Sequence, residues 1–139
     1  MIDDCRIIKF KEMGDERGNL VVAEGNGNEI PFEIKRVFYI YGSDKKVIRG
    51  QHANIRTRFV LINVSGKSKV RVDNGHERTV FKLDQPKTGL YLGNMLWKEM
   101  FDFSEDSVLL VLCSEHYDEN EYIRDYAQYI EMVNGDIEK

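Results

Sequence analysis

The residues best suited to chemistry lie together in Arg49-Gly50-Gln51-His52-Ala53-Asn54. Residues two apart in an extended strand face the same side, so the His52 imidazole and the Asn54 amide point in one direction. Of the two, only His52 titrates near neutrality and can both take and give a proton. The amide takes no proton; it can orient a bound molecule or donate a hydrogen bond to an oxygen on which negative charge develops. His52 is therefore read as a general base, with a binding residue or a satisfied pocket histidine as the plainer alternative. His76 follows an Asn74-Gly75 turn and His116 precedes Asp118 near the start of a helix, and neither is given a role.

The elements that must hold these groups are mostly strands. Runs dense in β-branched and aromatic residues recur at 6–10, 19–24, 35–41, 59–64, 69–72, 78–83, 89–92 and 108–114. Val70-Arg71-Val72 and Thr79-Val80-Phe81 flank Asn74-Gly75, a pair suited to a type I′ hairpin, and Ser65-Gly66-Lys67 marks a second turn. The period changes near the C-terminus, where Tyr122, Ile123, Tyr126, Ile130 and Val133 recur at helical spacing, Asp118 and Glu121 have the offset of a capping box, and Asn134-Gly135 supplies a stop. Tyr122, Tyr126 and Tyr129 form a packing stripe on that helix. The expectation is an all-β barrel or jelly roll closed by one C-terminal helix, in a single domain spanning 1–139, with no repeat or linker to divide it.

Composition narrows the partners. A formal charge of -4 and the lack of a Lys/Arg block disfavour nucleic-acid binding, while leaving room for a local pocket that takes an anionic small molecule. The longest apolar run, Val108 to Cys113, is far short of the roughly 18 residues that span a bilayer, and Asp3 and Asp4 stand where a signal peptide carries basic residues. Cys5 and Cys113 are distant and form no CxxC pair, which fits two structural thiols in a reducing, cytoplasmic setting.

The spacing of His52 and Asn54 is similar to the first cupin motif, a jelly-roll signature in which His-x-His is followed by Glu and later by Gly. Here the register reads His52, Asn54, Arg58 and Gly66. An amide and a cation stand where two metal ligands would be, and Trp97-Lys98 where a third histidine would be, so the resemblance implies a cupin-like barrel without metal.

The chain also resembles the cupin-type sugar-nucleotide 3,4-ketoisomerases, which act on TDP-4-keto-6-deoxyglucose. The resemblance is carried by Asp15-Glu16-Arg17-Gly18 with Leu20, Ile30-Pro31-Phe32-Glu33-Ile34-Lys35-Arg36-Val37-Phe38-Tyr39-Ile40, Arg49-Gly50-Gln51-His52, Gly89-Leu90-Tyr91-Leu92-Gly93, Trp97-Lys98-Glu99-Met100-Phe101-Asp102-Phe103, and Val111-Leu112-Cys113-Ser114-Glu115-His116-Tyr117-Asp118-Glu119. The family motif Arg-Gly-x-His-x-His keeps its first histidine as His52 and has Asn54 at its second. A later Lys-x-x-Gln pattern reads Ile55-Arg56-Thr57-Arg58-Phe59.

The resemblance implies removal of the C3 proton of the keto sugar, an enediol, and delivery of a proton to C4, with no cofactor or metal. It implies His52 as the base, Tyr39 as an acid or relay, and Asn54 as an orienting amide. Among the binding residues, Arg17 and Arg49 would hold phosphate oxygens in paired hydrogen bonds and Lys98 would act as a point charge. Gln51 and Arg58 belong to the same implied set. Trp97 stacks on a base or fills the core, and Glu99 and Asp102 accept hydroxyl or imide hydrogens or simply charge a strand rim. A homodimer is expected, formed by edge pairing or exchange of an N-terminal strand. The alternative reading is a sugar-nucleotide-binding cupin that lost catalysis with the second histidine.

Overall fold

A computed structural model describes residues 2–135. Two five-stranded antiparallel sheets form the barrel. The first has the order β1-β9-β6-β11-β4, built from β1 (Cys5–Lys9), β4 (Arg36–Tyr41), β6 (Phe59–Ser65), β9 (Thr88–Leu92) and β11 (Val108–Cys113). The second has the order β12-β5-β10-β7-β8, built from β5 (Arg49–Asn54), β7 (Ser68–Asp73), β8 (Arg78–Leu83), β10 (Trp97–Phe101) and β12 (Tyr122–Ile123). A separate hairpin pairs β2 (Glu12–Asp15) with β3 (Gly18–Val21). This is the jelly-roll architecture that the strand spacing implies.

Parity along the strands decides what each face meets. Phe59 and Leu61 join Val70, Val72, Met100, Leu109 and Val111 in the core between the sheets. The alternate residues Val60 and Ile62 face outward, where Ile30 and Phe32 cover them together with Phe10 and Tyr91. Phe59-Val60-Leu61-Ile62 is an unbroken apolar run because both faces of β6 are covered. On the outside of the second sheet, Ala53, Trp97 and Ile123 pack against Tyr129, which fills the groove under helix α1 (Tyr126–Gly135). Cys5 and Cys113 are buried and free, and burial pushes both thiols up to about 11.

Three local expectations are corrected. The Asn74-Gly75 connection is a four-residue loop, since Asp73 pairs with Arg78 and the Asn74 side chain accepts from the backbone N–H groups of His76 and Glu77. The segment from Asp118 does not start the helix: Asp118 caps a single 3₁₀ turn at Glu119–Glu121, and Tyr122–Ile123 then adds to the edge of β5. The helix begins at Tyr126, its first turn capped by Asp125, which accepts from the Gln128 N–H at 3.2 Å. It continues through Asn134 and Gly135, the end of the described residues.

One irregularity aims the chemistry. Lys98 pairs with His52 and Glu99 with Gly50, so Gln51 is an extra residue in β5 and the ladder bulges there. Gly50 and Gln51 both take left-handed backbone, with φ of 86° and 57°. A Cβ at position 50 would lie 3.0 Å from the Lys98 carbonyl oxygen and 2.9 Å from the Met100 methyl group. Gly50→Ala is therefore expected to destabilise the fold by about 1–3 kcal/mol in urea denaturation, with the loss traced to backbone strain at the bulge; wild-type stability would contradict it.

Candidate active site

The bulge turns His52 and Asn54 into the barrel, where β10 already points Lys98 inward between the outward-facing Trp97 and Glu99. Lys98 is 3% exposed and Asn54 1%, whereas His52 is half-buried and is the more open of the three. The Lys98 ammonium donates to the Asn54 amide oxygen at 3.3 Å and lies 4.2 Å from the centre of the Phe59 ring. An ammonium has donors only, so it fixes which way the amide points: oxygen toward Lys98, NH₂ away from it.

Around this trio stand groups from three further elements. The His52 ring is 4.8 Å from that of Tyr122 on β12. Arg36, at the start of β4, donates to the Tyr122 hydroxyl at 3.4 Å from both terminal nitrogens, linking the free edge of the first sheet to the second. Its guanidinium also faces the rings of Phe38 and Tyr117. Glu121 is a buried carboxylate whose Oε1 accepts from the backbone N–H groups of Arg56 and Thr57 at 3.0 Å each, while the Thr57 hydroxyl donates to Oε2. Three buried polar atoms near the cluster have no hydrogen-bond partner among the described residues: His52 Nδ1, Asn54 Nδ2 and Arg36 Nε. Buried polar atoms are ordinarily satisfied, so a bound molecule carrying hydroxyl and keto oxygens gains what these atoms offer.

The electrostatics follow from burial and sign. Burial, then the charges of Lys98, Arg124 and Arg36, hold the His52 pKa down to about 3, with Asn54 acting in the opposite direction. The imidazole is neutral at neutral pH, as a base must be. Burial lowers Lys98 to about 7, against the pull of Cys113 and Glu121. Burial alone would raise Glu121, but hydrogen bonds from Thr57 and the backbone N–H groups of Arg56 and Thr57 bring it below the usual carboxylate range.

Several residues singled out in the sequence lie elsewhere. Tyr39 is on the outer face of β4, 62% exposed and stacked on Tyr41, because strand parity gives the inward direction to Phe38. Arg17 sits at the tip of the β2–β3 hairpin and pairs with Asp15 at 2.7 Å. Arg58 donates to the Pro31 carbonyl and covers Phe32 on the outside of the first sheet. Gln51 and Glu99 face an outer groove with Arg71, which pairs with Glu99 at 2.8 Å. Trp97 packs edge-on against Tyr126 at 5.1 Å, beneath α1. Asp102 pairs with Lys69 beside a cavity of about 800 Å³ that Lys45, Lys67 and Lys82 also line, and that cavity contains none of the His52 cluster. Arg49 is exposed at the head of β5. Lys98 is inside the barrel and not on a phosphate-facing rim.

The sequence reading missed Arg36, Glu121 and Tyr122. Arg36 was legible from parity, two residues before the inward Phe38; the other two were hidden because Tyr122 fell by chance into the helical spacing of Tyr126 and Ile130. Among the described residues, no three His, Cys, Asp or Glu side chains converge as a metal site.

The family model described as FdtA, WxcM-like, C-terminal, matches residues 3–134. The TDP-4-oxo-6-deoxy-alpha-D-glucose-3,4-oxoisomerase of Aneurinibacillus thermoaerophilus is 44% identical over 132 residues, covering 93% of this chain and 94% of its own. A histidine-to-asparagine mutant of the 3,4-ketoisomerase QdtA from Thermoanaerobacterium thermosaccharolyticum, solved with TDP-4-keto-6-deoxyglucose, is 44% identical with a TM-score of 0.93 over 97% of each chain. The TDP-fucose-3,4-ketoisomerase WlaRA of Campylobacter jejuni is 39% identical with a TM-score of 0.90, covering 96% of this chain and 98% of its own.

The site's charge makes a stability prediction. The unfolded chain keeps a proton on Lys98 up to about 10.5, the folded chain only to about 7. The unfolded state thus binds more protons in that window, and folding stability rises with pH across it, by up to about 1.4 kcal/mol per pH unit. Urea denaturation at pH 7 and pH 9 is expected to show this rise, and Lys98→Met to flatten it.

Proposed function

Because the chain belongs to the FdtA family, we propose that it isomerises TDP-4-keto-6-deoxyglucose to a TDP-3-keto-6-deoxyhexose by proton transfer through an enediol. The observation that carries this reading is the neutral, half-buried His52 inside the barrel beside Asn54, in a chain that matches ketoisomerases over nearly its full length. His52 takes the proton from C3, and the same imidazole returns a proton at C4. Asn54, its amide oxygen held by Lys98, presents its NH₂ to an enediol oxygen. QdtA with asparagine in place of a histidine still holds the keto sugar, so an amide among such residues is compatible with binding. Tyr122 and Arg36 form the wall next to His52 and offer a hydroxyl and a cation to the sugar and phosphates. Arg49, exposed at the head of the strand that carries His52, is the further phosphate partner.

The whole chain acts as one domain, in the cytoplasm, as a homodimer. Val37, Tyr39 and Tyr41 leave an apolar stripe on the free edge strand β4, and the hairpin carrying Arg17 is a small sheet of its own. Light scattering at micromolar concentration is expected to give twice the 16.2 kDa chain mass; a monomer would refute the dimer.

Proton NMR of TDP-4-keto-6-deoxyglucose in D₂O tests the reaction. The wild-type protein is expected to yield the 3-keto isomer with deuterium at C4, and His52→Ala to lose about 10²–10⁴-fold in rate. Ligand line broadening without product would favour a binding protein instead.

A further inference from the structure

Moving a ketone from C4 to C3 shifts protons on oxygen as well as on carbon. The C4 oxygen must gain one and the C3 hydroxyl must lose one, and an amide such as Asn54 can carry neither. Within the barrel, the cross-strand partner of His52 is Lys98. We propose that Lys98 is the acid–base group for the two sugar oxygens, a role that rests on the ketoisomerase reading of this site.

The protons balance without any outside reagent. As the His52 lone pair takes the C3 proton, the C3–H electrons form the C3–C4 double bond, and the former carbonyl electrons on the C4 oxygen take a proton from the Lys98 ammonium. The enediol then collapses the other way: the Lys98 amine takes the proton from the C3 hydroxyl, a C3 carbonyl forms, and C4 takes a proton from His52, whose half-buried ring exchanges it with solvent in the enediol's lifetime. Both residues end as they began.

Four observations support the assignment. Lys98 is buried, so its proton has no direct route to bulk water. Its hydrogen-bond partner among the described residues is Asn54, and its cross-strand partner is His52, so a sugar held between His52 and Asn54 lies on the face of the sheet that presents the ammonium. The groups facing Lys98 are His52 and Asn54 on β5, Phe59 on β6, Cys113 on β11 and Glu121 in the segment before β12; its neighbour on β7, Val72, does not titrate. Glu121 is committed to Thr57 and two backbone N–H groups and Cys113 is held as a thiol, which leaves Lys98 as the one that changes charge near neutrality. The two bases are also coupled. The Lys98 charge holds down the basicity of His52; once the proton passes to the C4 oxygen, that repulsion vanishes at the moment His52 must accept a proton.

The test compares wild type, Lys98→Met and Lys98→Arg across pH by the same NMR assay. Lys98→Met keeps the side-chain length and removes a buried charge, a change buried sites commonly tolerate. It is expected to lose about 10²–10⁴-fold in kcat with KM little changed. Wild-type kcat is expected to fall as pH rises through about 7, a limb absent from the residual activity of Lys98→Met. In that variant the rising limb set by His52 moves up from about 3 toward its ordinary 6.5. Lys98→Arg keeps a charge that does not leave and is expected to stay slow. Full turnover in either variant, or an unmoved pH profile in Lys98→Met, overturns the role of Lys98 alone. Absence of product with the wild-type protein overturns the ketoisomerase reading and this role with it.

Discussion

The cost of keeping an ammonium inside a β-barrel governs this structure. Lys98 sits on a central strand and is almost wholly removed from solvent. What offsets the lost hydration is drawn from distant parts of the chain: the Asn54 amide, the face of the Phe59 ring, and the field of the Glu121 carboxylate. Glu121 can serve only because the segment after β11 returns to the barrel, where it is anchored by the N–H groups of Arg56 and Thr57. The same anchoring lays β12 along β5 and brings the Tyr122 ring against His52. One buried charge thus ties the closing of the barrel to the shape of the site.

Much of the fold was legible because apolar runs are long wherever both faces of a strand are covered. Strands β4, β6, β8 and β11 came out within a residue or two of their positions. What could not be read from the runs was parity across an irregularity. Residues 49–54 carry little apolar content, and the left-handed pair at Gly50 and Gln51 shifts the register by one, so spacing alone could not say which side Arg49 and Gln51 face. At β10, Trp97 drew attention as a ring for stacking, yet its neighbour Lys98 points inward because α1 covers the opposite face. The C-terminal error has a similar cause: two strand residues happened to continue the period of the helix that follows them.

The site itself was half legible. His52 and Asn54 share a face as their spacing requires, and the family motif marks them. The arginines and carboxylates picked for ligand binding sit mostly outside, tied up in pairs such as Arg71–Glu99, Lys69–Asp102 and Arg17–Asp15. Charged residues on strands alternate between lining a cavity and decorating a surface, and composition carries no information about which. The interior instead concentrates a small set of groups far from water, and it is burial, joined at His52 by the charges of Lys98, Arg124 and Arg36, that places His52 and Lys98 so far from their ordinary behaviour.

Trp97 has a consequence of a different kind. It is the chain's one tryptophan, shielded between β10 and α1, with two tyrosine rings within 6 Å of it, and it is joined by a single peptide bond to the lysine inside the barrel. Its emission is therefore an optical gauge of whether the helix is seated, free of interference from any second indole. Any event that shifts β10 while a ligand enters the barrel passes directly to that indole, so the molecule carries a built-in fluorescent reporter on the outer side of the strand whose inner side faces the site.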